Sequence, residues 1–130
     1  MIVMHIALLS FSQGALGRSF NDVIDIQMKD VYMIDYKTTF KNDSILLHCY
    51  YEGYIQTYTF DGKTKKATGE LLMTESDELA SYLSAVFNSY RIRETDNSWI
   101  YTYGGKVVET FVMMRDIDGV PYHLFFTIYK

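Results

Sequence analysis

The sequence predicts an α+β fold: a mostly antiparallel, curved sheet of roughly six to eight strands in a meander, with one long helix packed on it. Three observations carry this expectation. A single segment, residues 74–91, holds a sustained helical period. Most of the remaining chain either alternates apolar with polar residues or runs apolar in short blocks. Turn dipeptides such as Glu52-Gly53, Asp61-Gly62, Gly104-Gly105 and Asp118-Gly119 separate those blocks. At 130 residues, with no linker, repeat or composition shift, the chain reads as a single globular domain over 1–130.

Residues 1–9 form an apolar run broken by His5, which suits a strand buried on both faces. The same run could be the apolar stretch of a signal peptide, with Ala15-Leu16-Gly17 as the cleavage site. No Lys or Arg precedes it, which favours the strand. Residues 13–18 read as a connector. Gly14 and Gly17 lack the lysine or third glycine that a phosphate-cradling loop needs. From Val23 to Phe40 apolar residues alternate with polar ones, as in a strand pair bent at Lys29-Asp30. A helix over residues 19–28, capped by Ser19 and Asp22, is the rival reading, and the β-branched content favours strand.

Residues 45–51 make a strand that is apolar on both faces except at His48. It turns at Glu52-Gly53 into residues 54–60, and Asp61-Gly62 is the strongest hairpin signal in the chain. Lys63, Lys65 and Lys66 suit an edge strand that resists sheet-to-sheet association. In the helix, Leu79, Tyr82, Leu83, Val86, Phe87 and Tyr90 fall on one face. Thr74 and Asp77 supply the start signal, and Arg91 suits the last turn. Residues 93–98 read as a polar loop, followed by a three-stranded unit over 99–129 with Pro121 at the start of its last strand.

The chemistry points away from catalysis. A net charge of −4 argues against nucleic acid and anionic membranes as partners. The lone Cys49 excludes an internal disulfide and a cysteine-based zinc site, which favours the cytoplasm. A signal peptide over residues 1–17 would instead place the chain outside it or in the periplasm. His5, His48 and His123 are scattered and lack helical ligand spacing. Asp116-Ile117-Asp118-Gly119 is a calcium-loop fragment without its closing glutamate, so a hairpin turn explains it better. No catalytic residue, metal ligand or cofactor is therefore expected. What remains is aromatic placement. Tyr50, Tyr51, Tyr54 and Tyr58 cluster on one hairpin, and Trp99, Tyr101 and Tyr103 share one face of a later strand. The expected function is a small non-enzymatic protein that recognises another protein, as inhibitor or accessory subunit, through an aromatic-rich sheet face. The expected partner is another protein or, as a homodimer, a second copy of the chain. The alternative is a partial barrel that holds a small apolar ligand.

Overall fold

The computed structural model describes residues 14–130; the run over residues 1–9 and His5 lie outside the described residues. The first half of the chain is α1 (Phe20–Met28), β1 (Asp35–Lys41), β2 (Ser44–Tyr51), β3 (Tyr54–Asp61) and β4 (Ala67–Thr74). The second is α2 (Asp77–Tyr90), β5 (Ile92–Thr95), β6 (Ser98–Tyr103), β7 (Lys106–Ile117) and β8 (Val120–Tyr129). The strands form one eight-stranded sheet in the order β1-β2-β3-β4-β8-β7-β6-β5. Every pair in it is antiparallel. Each half thus runs from a helix to an outer strand and then works inward, and the halves meet where β4 pairs with β8. Exchanging the halves leaves the order unchanged, which is a two-fold relation in topology.

Register decides which side chains the helices cover. Leu47 lies opposite Tyr58, Tyr58 opposite Glu70, Leu72 opposite Phe125, and Trp99 opposite Thr110. These residues share one face, and their apolar members join Val23 of α1 and Leu79, Leu83 and Phe87 of α2 in one hydrophobic cluster. Residues one step along each strand point to the other face.

Residues 20–28 are helix, which corrects the strand expected there. Ser19 accepts the Asp22 N–H at 3.1 Å, capping the first turn. Val23 and Gln27, one turn apart, are both buried. The Gln27 amide donates to the Tyr58 hydroxyl at 3.0 Å, and the Tyr51 hydroxyl lies 2.6 Å from Gln27 Oε1 and 2.9 Å from Asp30 Oδ2. Cap, burial and a satisfied polar network outweigh the few tenths of a kcal/mol per residue by which Val and Ile disfavour helix.

The expected helix is present as α2, with Ser76 rather than Thr74 as its N-cap. Ser76 Oγ accepts the Leu79 N–H at 3.0 Å, whereas the Thr74 hydroxyl donates to the Gly53 carbonyl at 2.7 Å. Its buried stripe is Leu79, Ala80, Leu83 and Phe87, so Tyr82 and Tyr90 of the predicted stripe stand exposed. A second helix therefore joins the one that was expected. Two further corrections concern strands. Residues 92–95 form β5 where a polar loop was expected, because they pair with β6. The lysines at 63, 65 and 66 precede β4, which is not an edge but lies between β3 and β8.

The turn between β3 and β4 contains a glycine required by close approach. The Gly62 N–H donates to the Asp43 carbonyl at 2.7 Å, and a Cβ at Gly62 would overlap that same carbonyl oxygen. Asp61 Oδ1 fixes the turn by accepting the N–H groups of Lys63 and Thr64 at 2.8 and 2.9 Å. Gly62→Ala should therefore force two backbones apart and destabilise the fold by about 2 kcal/mol in urea titration. An unchanged midpoint would mean that the two turns are not locked together.

Candidate functional site

The seven aromatics singled out by sequence do not share one surface. Tyr51, Tyr54, Tyr58 and Trp99 are buried on the helix-covered face. The Tyr51 and Tyr54 rings stack at 4.6 Å. Trp99 packs against Phe87 at 5.4 Å and donates its indole N–H to Asn88 Oδ1 at 2.7 Å. Tyr101 and Tyr103 lie on the same face, half-buried towards the end of β6. Tyr50 alone points to the opposite face, because neighbours on a strand alternate.

That opposite face carries a second apolar set. Among the described residues, no helix contributes to it. Its centre is Ile55 beside Met73, Leu71 beside Phe126, and Phe126 beside Phe111. The rings of Phe111 and Phe126 stack at 5.1 Å. Leu46, Tyr50, Ile55, Leu71, Phe111 and Phe126 are all half-buried. Lys37, Lys41, Glu109 and Arg115 occupy positions around this centre on the same face. Sequence reading missed Phe111 and Phe126, although strand alternation from Val112 and Phe125 would have placed them.

Beneath the helices lies a polar group that sequence reading did not anticipate. Glu70 on β4 is buried, and its carboxylate accepts the Ala15 N–H at 3.1 Å. Burial pushes its pKa up to about 7, against the opposing pull of that N–H and of Arg91. The Arg91 guanidinium lies over the Phe87 and Tyr101 rings at 4.1 and 4.4 Å and donates to Thr110 Oγ1 at 2.5 Å. Gly14 and Gly17 belong to the connector that Glu70 holds, not to a phosphate loop. A Cβ at Gly14 would fall 2.9 Å from the Tyr101 hydroxyl and 3.0 Å from a Glu70 oxygen. The group is a structural clamp on the residue 14–17 connector.

The described histidines do not converge. His48 sits on the open face between the hydroxyls of Thr39 and Thr57 at 3.1 and 3.0 Å, its pKa lowered by burial and by Lys37. His123 is on the helix face, with Nε2 2.7 Å from Asp77 Oδ1. Burial, with a contribution from Asp30, pushes the Cys49 thiol up to about 12, which suppresses the thiolate that reactivity requires. Asp118 and Gly119, at φ 53° and 82°, form a hairpin turn between β7 and β8. No group of three His, Cys, Asp or Glu that could hold a metal ion occurs among the described residues, and no helix among them is long and apolar enough to cross a membrane.

Two further concave sites lie among the described residues. A cleft of about 460 Å³ at the end of the sheet is lined by Tyr51, Tyr54, Met73 and Tyr122. A groove of about 520 Å³ runs between α2 and the outer part of β7. Comparison with protein-family models, with curated proteins and with solved structures finds no match to the chain.

Proposed function

We propose that this protein is a non-enzymatic binding module that recognises another protein, as an inhibitor or accessory subunit, through the open face of its sheet. The observation that supports this reading is the make-up of that face. Leu71, Phe111 and Phe126 sit at its centre, with charged residues around them. An apolar centre inside a polar rim is how recognition surfaces are built, and an apolar area of this kind left in water favours association. The rim holds both signs of charge, and the chain carries −4 overall, so a protein surface suits it better than nucleic acid.

A photo-crosslinking residue at position 71 should form one discrete adduct with another polypeptide in the native cell. The same residue at position 63, in the β3–β4 turn, should not. Phe126→Ser should weaken that adduct at least tenfold, which is about 1.4 kcal/mol of binding, while circular dichroism shows the fold retained. No adduct at position 71 from a chain that sediments as a monomer would end the reading. An adduct between two copies would convert the partner to a second molecule of this chain.

The tyrosine-lined cleft favours a second reading, a small apolar ligand held at the end of the sheet, since its volume is in the range of such sites. The sheet ends in separate strands β1 and β5 and does not close into a barrel around that cleft. Quenching of tyrosine emission by an added hydrophobic dye, abolished by Tyr122→Ala, would support it; a dye that binds the variant equally well would not.

A further inference from the structure

The two-fold relation between the halves fails at one place. β7 is 12 residues long and β6 only 6, so β6 pairs with β7 only as far as Ser98 opposite Phe111. One further bond, from the Val112 N–H to the Asn97 carbonyl at 2.9 Å, closes that side. Beyond it, β7 continues to Ile117 opposite Val120 with β8 as its only strand neighbour among the described residues. Backbone groups alternate along a strand, so Met114 and Asp116, like Val112, direct their N–H and C=O away from β8. Neither residue has a strand partner on that side among the described residues, and both side chains are exposed.

The opposite edge of the same hairpin is treated differently. β4 reaches only as far as Thr74 opposite His123, so residues 120–122 of β8 also lack a strand partner there among the described residues. In that stretch the residue whose backbone faces outward is Pro121, which has no N–H to offer. One edge is therefore blocked to an incoming strand and the other is not.

The open edge borders the 520 Å³ groove. Val112, Met114 and Phe125 form its floor, and Ser81, Ser84 and Ala85 of α2 form a wall of small side chains. The lining contains no lysine or arginine. Carboxylates stand around it: Asp77, bonded to the lining His123, then Glu78 on the same helical turn, and Asp116 two residues beyond Met114 on the same face. Backbone groups at strand spacing select an extended polypeptide, the small wall admits apolar side chains, and the carboxylates select positive charge.

We propose that the edge of β7 at Met114 and Asp116 binds an extended, basic polypeptide segment as an added antiparallel strand, with alternate side chains in the groove under α2. This surface lies at a strand edge and on the helix side of the sheet, so it stands or falls separately from the open face.

The probe is the acetylated, amidated peptide Thr-Lys-Thr-Val-Thr, whose lysine would face Asp116 and whose valine, opposite Met114, would enter the groove. Titrated into the isotope-labelled full chain, it should shift the amide resonances of Met114, Asp116, Ser84 and Ala85 saturably. Methylating the peptide's valine nitrogen should raise Kd at least tenfold, because it removes the donor to the edge at Met114. Met114→Pro should do the same, reproducing on β7 the block that Pro121 places on β8. Ser84→Arg, which fills the groove without touching the edge, is the second variant should the proline disturb the hairpin. Asp116→Lys should weaken binding and reduce its salt dependence. Absence of saturable shifts at Met114 and Asp116 overturns the proposal. So do shifts confined to Leu71 and Phe126, which would assign the peptide to the open face. Shifts that depend on protein concentration alone would assign the edge to a second copy of the chain.

Discussion

Trp99→Ala is expected to destabilise the protein by about 4 kcal/mol, the cost of removing a large aromatic from a packed core. Trp99 is 1% exposed and lies between β6 and α2, where the Phe87 ring meets it at 5.4 Å. Truncation would leave a void that the sheet and helix can only partly close. It would also take away the donor that Asn88 Oδ1 holds at 2.7 Å. Trp99→Phe should cost less, about 2 kcal/mol, because it restores most of the packing but not the N–H. Since Trp99 is the sole tryptophan, unfolding of the variants is best followed by far-ultraviolet circular dichroism. A Trp99→Ala variant with wild-type stability would return this residue to the candidate recognition surface.

Glu70 should make the fold less stable as pH rises from about 4.5 to above 7. The unfolded carboxyl titrates near 4.5, while burial raises the folded value to about 7. Between those values the native state binds the proton that the unfolded state has released, so stability falls as pH rises. A shift from 4.5 to about 7 corresponds to about 3 kcal/mol, present in full above the folded value. Glu70→Gln keeps an acceptor for the Ala15 N–H and removes the titration. Its stability should stay level across the window and exceed that of wild type at pH 8. The gain should be smaller than the full shift, because Arg91 then loses the neighbouring charge. Denaturant midpoints for both proteins from pH 4 to 9 test this. Parallel curves would show that Glu70 ionises without penalty in the folded chain.

The parts of the fold legible in sequence were those fixed by local pattern. The α2 stripe is periodic over enough residues to identify its element, and Glu52-Gly53 marks the turn that makes β2 and β3 a hairpin. The α1 helix was misread because Val23, Ile24 and Ile26 favour strand. The features that decide for helix, Gln27 reaching Tyr58 and Asp30 reaching Tyr51, span a long stretch of chain. The aromatic cluster was misplaced for a related reason. Both faces of β2 are apolar, so its sequence does not say whether Tyr50 or Tyr51 turns inward. That choice follows from where the helices lie. Nothing in the local pattern marks Glu70 as buried, because its partner, the Ala15 N–H, comes from a connector 55 residues away. The groove and its free edge depend on the difference in length between β6 and β7, which a turn pattern does not reveal.

The seam between β4 and β8 has a consequence for how the chain could be divided. Each half carries its own helix and four consecutive strands, and the halves are joined covalently only through the short link between Thr74 and Asp77. Nicking that link at Glu75 would yield two fragments, each displaying as its outer strand the one that the other fragment is shaped to receive. Such fragments should complement one another when mixed. Either one alone could borrow a second copy of itself to fill the vacancy, building from two identical pieces the sheet that one continuous chain now builds from two unlike ones.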